Sequence, residues 1–274
     1  MKHKINRNIL TFCGFLLLSV TLFSCREDRL THHKEWGAFF EENDVNGCVM
    51  WNNLNEATFG VYGFGAIQKR LVPAETFHIV LALAGLETGV IRDTNMVIPD
   101  ALAGPKTSGV TMGEAFRHNN NAYFKWVGRT IGQAKMKYWL DSTYYGNKKM
   151  GSDITSYWTD RTLKISPDEQ LGLVQRLYLG GFAYQDRTER LVKELMLKKV
   201  AHDDTLYYQQ GVGDGKDGTV GWLVGWLKRK DEVHLFSIKA LDKEQTDKMN
   251  TKTLNILYDI FGAKGWLTAS GRLK

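Results

Sequence analysis

The chain has 274 residues, of which 43% are hydrophobic and 24% charged. That balance excludes a disordered or low-complexity chain and suits one large domain or two small ones. The formal charge of +6 does not mark a nucleic-acid binder, because the Lys and Arg residues are dispersed and form no long basic block.

Residues 1–24 read as a targeting segment. Lys2, Lys4 and Arg7 form a basic start, and Ile9 to Phe23 form an apolar run too short for a comfortable membrane span. Leu22-Phe23-Ser24-Cys25 resembles a lipobox, which implies cleavage before Cys25 and a lipid anchor on it. Arg26-Glu27-Asp28 resembles a lipoprotein surface-export signal. The expected location is therefore the bacterial cell envelope, at the outer membrane. Removing residues 1–24 takes away three basic residues and no acidic one, so 33 basic against 30 acidic residues leave +3. Cys48 is then the one cysteine left for the folded domain, has no partner for an intramolecular disulfide, and reads as a buried strand residue.

Residues 25–33, with His32 and His33, read as a lipidated tether. Lys34 to Glu42 predicts a short amphipathic helix. Gly47 to Trp51 and Ala57 to Tyr62 predict two strands joined through Asn52-Asn53-Leu54-Asn55. Pro73-Ala74-Glu75-Thr76-Phe77-His78 then opens an apolar segment to Val90, with a proline and an acid where a helix start favours them.

Residues 92–165 break into short helices and loops, with Thr111 to Phe116, Asn121 to Ile131 and Lys135 to Leu140 as helix candidates. Ser166-Pro167-Asp168-Glu169 has a capping-box pattern and starts a helix to about Leu179, closed by Gly180-Gly181. Gln185 to Leu197 predicts another helix, Thr205 to Gln210, Val220 to Lys228 and Glu232 to Ala240 predict strands, and Thr246 to Phe261 predicts a final helix. The glycine-rich stretch Gly211 to Gly218 reads as a mobile hairpin loop. Helices at both ends and a late run of strands imply an α+β fold in which an antiparallel sheet is flanked by helices.

Pro73-Ala74-Glu75-Thr76-Phe77-His78 resembles the Pro-Ala-Ser-Thr-Phe-Lys stretch of OXA-type class D serine β-lactamases and penicillin-binding transpeptidases. The resemblance covers residues 34–265, with 266–274 as a tail. It implies a serine β-lactamase/transpeptidase-like fold with an all-helical subdomain at about 92–165. Glu75 stands where that family has its nucleophilic serine, and His78 where it has the lysine whose carbamate acts as base. Further on, Ala115 to Phe124 resembles the stretch around the family's Ser-x-Val motif, which puts Asn119 at the serine and Asn121 at the valine. Tyr145-Gly146-Asn147 is an intact Tyr-Gly-Asn, and Trp158 matches the tryptophan that covers the carbamylated lysine.

Arg187 to Leu197 and Val220 to Trp226 resemble the helix before and the strand after the Lys-Thr-Gly motif, which counting places at Gln209-Gln210-Gly211. The family's late arginine is missing from residues 241–260, where Lys248 is the expected substitute.

Nucleophile, base, relay serine and carboxylate-binding lysine are thus all replaced, and such groups act as a unit. The expectation is an inactive envelope lipoprotein on a class D scaffold, without a cofactor, recognising a peptidoglycan-like peptide, a β-lactam or an envelope protein partner. Its expected site comprises Glu75, His78 and Asn119, with Tyr145, Asn147, Trp158, Gln209, Gln210 and Gly211 lining a cleft. Glu75 and His78 are expected to share a hydrogen bond. The alternatives are altered acid–base chemistry on Glu75 and His78, residual β-lactam binding or hydrolysis, or a metal held by Glu75, His78 and His118.

Overall fold

A computed structural model describes residues 29–274 except 202, 245, 246, 270, 272 and 274. The targeting segment and Cys25 lie outside the described residues. Among those residues, no helix is long and apolar enough to cross a membrane.

The strands are β1 (Leu30–His32), β2 (Asn46–Asn53), β3 (Thr58–Tyr62), β4 (Leu197–Ala201), β5 (Asp204–Gly215), β6 (Gly218–Arg229) and β7 (Glu232–Asp242). They form one seven-stranded sheet in the order β1-β3-β2-β7-β6-β5-β4. All neighbours are antiparallel except β1, which runs parallel to β3. The β2–β3 hairpin from early in the chain docks on β7 from its end, with Trp51 opposite Phe236.

The helices are α1 (Gly37–Glu42), α2 (His78–Glu87), α3 (Met112–Arg117), α4 (Asn121–Ile131), α5 (Gln133–Ser142), α6 (Pro167–Leu179), α7 (Asp186–Met196) and α8 (Met249–Ala263). α8 and α1 cover one face of the sheet, where Trp51, Leu223, Phe236 and Ile238 pack with Ile256, Leu257, Ile260 and Phe261. The other helices build a larger core against the opposite face, which receives Val220, Trp222, Val224 and Trp226 from β6. Both alternate sets of β6 residues are buried because the strand is covered on its two faces. Gly221 lets α8 approach: a Cβ there would stand 2.1 Å from Met249 Cγ.

Local signals explain most boundaries. Glu169 reaches back to the Ser166 N–H at 3.0 Å, and Gly180 closes α6 at φ +70°. Thr111 and Glu114 form a second capping box at α3.

Three expectations are corrected. The tether does not extend to residue 33, because Leu30–His32 adds an edge strand to β3. The tail is not separate: the Leu273 side chain is buried in the α8 core and Leu267 bridges to Leu273. The glycine-rich stretch is strand on both sides of a tight turn, with β5 and β6 paired up to Gly215 and Gly218. A strand rich in glycine carries the residue pattern of a loop, because its stability comes from pairing and not from side chains.

Candidate functional site

α2 is the buried axis of the larger core, with every residue from His78 to Leu86 buried. A four-residue 3-10 turn, Ala74–Phe77, leads into it. Ala74 sits at φ +50°, a left-handed conformation that costs a non-glycine residue about 1–2 kcal/mol. The surroundings hold it there: its N–H donates to Trp158 O at 3.1 Å. Behind the turn, Gln170 Nε2 donates to Thr76 Oγ1 at 2.7 Å, and that hydroxyl donates to Pro73 O at 2.7 Å.

Glu75 projects from this turn toward β5 and α4. Its Oε2 accepts from the Val212 N–H at 2.8 Å, and its Oε1 accepts from Asn121 Nδ2 at 2.6 Å. Burial pushes the carboxyl pKa above its ordinary value, against the Val212 N–H, its own N–H and the Asn121 amide, which favour the charged form.

The expected Glu75–His78 bond is corrected: Asn121 stands between them. Its Oδ1 faces both Trp158 Nε1 at 3.2 Å and His78 Nε2 at 3.0 Å. Indole N–H is donor only, so this geometry requires an oxygen there and turns the amide nitrogen to Glu75. His78 consequently carries its proton on Nε2. The ring is buried, stacks on Phe124 with centroids 4.0 Å apart, and has its pKa lowered to about 3 by desolvation. It is neutral at pH 7, and its Nδ1 has no hydrogen-bond partner among the described residues.

The remaining amides satisfy one another. Gln209 Nε2 donates to Asn119 Oδ1 at 2.7 Å, and Asn119 Nδ2 donates to Gln210 O at 3.3 Å. Gln210 Nε2 turns away to Asn250 O at 2.6 Å. Asn119 lies at φ +53°, which asparagine tolerates better than most residues. Gly211 brings β5 against the turn: a Cβ there would stand 2.8 Å from the Glu75 and Thr76 nitrogens.

The fold therefore gathers Glu75, His78, Asn119, Trp158, Gln209, Gln210 and Gly211. The expectation that Tyr145 and Asn147 line the cleft is corrected. Tyr145 is 1% exposed and packs edge-on to Phe77, while the Asn147 amide is used within its own loop, bonding Thr162 O and the Lys149 and Lys164 N–H groups. Glycine–asparagine sequences serve turn geometry as readily as ligands. His118 is exposed, and among the described residues no cluster of three His, Cys, Asp or Glu stands ready for a metal. Lys248 is exposed just before α8.

Two groups were absent from the expected site: the Asn121 side chain and the Val212 N–H. An asparagine at the valine position was the visible signal for the first. The second is a backbone group and leaves no mark in the residue pattern.

Comparisons with known proteins agree with the fold. The model of the penicillin binding protein transpeptidase domain matches residues 41–204. Beta-lactamase OXA-10 of Pseudomonas aeruginosa is 25% identical over 243 residues, covering 85% of this chain and 91% of that one. Beta-lactamase OXA-48 of Klebsiella pneumoniae is 26% identical over 250 residues, covering 87% and 91%.

Among solved structures, a class D beta-lactamase from Sebaldella termitidis superposes with TM-score 0.79 at 24% identity, covering 87% of this chain and 99% of that one. The C-terminal domain of the BlaR penicillin-receptor of Bacillus licheniformis superposes with TM-score 0.78 at 23% identity, covering 86% and 96%.

Proposed function

This chain belongs to the penicillin-binding protein transpeptidase domain family, with the architecture of the OXA-type class D β-lactamases, and from that premise we propose that it binds rather than turns over its ligand. The observation that carries the reading is the Glu75 carboxylate, held by Val212 N–H at 2.8 Å and Asn121 Nδ2 at 2.6 Å. Serine acyl transfer needs a hydroxyl that a neighbouring base deprotonates. Position 75 offers no hydroxyl, and His78 is a poor base, with its pKa near 3 and its Nε2–H committed to Asn121. Asn119 cannot relay a proton as a hydroxyl does, and Gln209 brings no cation to a ligand carboxylate.

On this reading the protein is a pseudoenzyme of the bacterial envelope, anchored through Cys25. The lipobox-like Leu22-Phe23-Ser24-Cys25 supports the anchor. The ligand class we favour is a peptidoglycan-like peptide, with an envelope protein partner as the other candidate. A neighbour of this fold is named a penicillin-receptor, which supports recognition as a use of the architecture. Altered chemistry on Glu75 and His78 is disfavoured, because no direct bond joins them and the ring is buried.

The test is to incubate the chain from residue 26 onward with a penicillin and record intact mass and hydrolysis. The expected result is a folded protein with no adduct and no turnover. A covalent adduct or hydrolysis would overturn the proposal and require another nucleophile.

A further inference from the structure

The two oxygens of Glu75 occupy a pocket whose walls come from separate parts of the chain. The Val212 N–H of β5 reaches Oε2, the Asn121 amide of α4 reaches Oε1, and the Glu75 N–H also serves the carboxylate. The Val212 and Asn121 donors are each held by neighbouring elements. Val212 follows Gly211, whose lack of a Cβ lets β5 lie against the turn, and Val212 itself is paired with Gly221 of β6. Asn121 is oriented by Trp158 Nε1 and His78 Nε2 on its oxygen. Donors converging from opposite sides on two oxygens match the spacing of one carboxyl group.

We infer that these donors form a carboxylate-binding pocket whose resident ligand is the chain's own Glu75 side chain, so that removing that side chain opens the pocket to a free small carboxylate. The inference rests on the non-catalytic reading of the cleft. It adds that this subsite is closed to outside carboxylates in the native chain, because its donors are already engaged.

The experiment compares the native chain with Glu75→Gly and Glu75→Ala, using formate and acetate as probes and chloride at matched ionic strength as the control. Both variants should show a saturable rise in Tm with formate, since a ligand that binds only the folded state stabilises it in proportion to occupancy. The native chain should require at least about tenfold more formate for the same rise. In the folded variants, the Val212 amide proton resonance should move with formate toward its native position.

An equal rise in native and variant chains, or a folded variant with neither a Tm rise nor a Val212 response, overturns the inference. Should both variants fail to fold, the native chain decides. Its Val212 amide proton should titrate together with the Glu75 carboxyl, and a pH-invariant Val212 amide overturns the assignment. Penicillin turnover would defeat the non-catalytic reading while leaving formate rescue intact, so the two failures are distinguishable.

Discussion

Gln209 and Asn119, 90 residues apart, are joined by a 2.7 Å hydrogen bond from the Gln209 Nε2 to the Asn119 Oδ1. These are two of the positions at which the chain departs from the family's catalytic pattern. The replacements thus complement each other: an amide donor of buried Gln209 meets an amide acceptor of half-buried Asn119. That complementarity makes the pair measurable. Truncating either to Ala should cost about 1–2 kcal/mol, with a coupling energy of about 0.5–1.5 kcal/mol in a double-mutant cycle by urea unfolding. Strict additivity would show that the bond contributes nothing.

Asn121 is the more costly position. Asn121→Leu should destabilise the fold by about 2–4 kcal/mol, because it strands the buried Trp158 and His78 N–H donors. Asn121→Asp keeps an acceptor for both donors but sets a second carboxylate beside Glu75. Its loss of stability should therefore grow steeply as pH rises, whereas that of the Leu variant, which removes the Asn121 donor from Glu75 without adding a charge, should grow more shallowly. Chemical denaturation at two pH values separates the two.

The pH dependence of stability follows from His78. Its folded pKa, about 3, lies below the ordinary 6.5, so below pH 6.5 the unfolded chain binds a proton that the folded chain refuses. Stability should fall as pH drops from 6.5 toward 3, by about 1.4 kcal/mol per unit once well below 6.5. His78→Gln keeps an N–H for Asn121 and should flatten this slope. Glu75 acts in the opposite sense. Its raised pKa means that its contribution is complete below the ordinary carboxyl value and declines as pH rises through the raised one.

Restoring one residue should not restore acyl transfer. Glu75→Ser supplies a hydroxyl, but the base beside it remains a neutral buried imidazole and the relay position remains Asn119. Intact mass after penicillin exposure should show no adduct, since groups acting as a unit are not replaced singly. An adduct on Ser-substituted protein would mean that a serine at position 75 suffices for acyl transfer without the lysine base and the relay serine.

Cys48 should be inert in the folded protein. It is 0% exposed, and burial pushes its thiol pKa up to about 11. A thiol reagent applied to protein beginning after residue 28 should label it only on unfolding, at a rate that follows denaturant. Fast labelling of the native chain would contradict the strand packing around β2.

By itself, the sequence determined the order of most helices and of strands β2, β3, β5, β6 and β7, the capping box that opens α6, and the α+β class. It also displayed the replacements at Glu75, His78, Asn119 and Gln209. These features depend on residues a few positions apart, or on stretches whose side-chain pattern survives substitution. Tertiary structure alone decided how the replacements meet. Val212 reaches Glu75 across 137 residues, and Asn121 reaches it across 46.

The same holds for β1 and the glycine-rich arm of β5, which become strands because a neighbouring strand pairs with them. Hydrogen bonds between distant backbone and amide groups are set by how elements pack, and packing is a property of the whole chain. A one-residue pattern at Glu75 and His78 suggested a direct bond; the packing of α4 against α2 placed an asparagine between them.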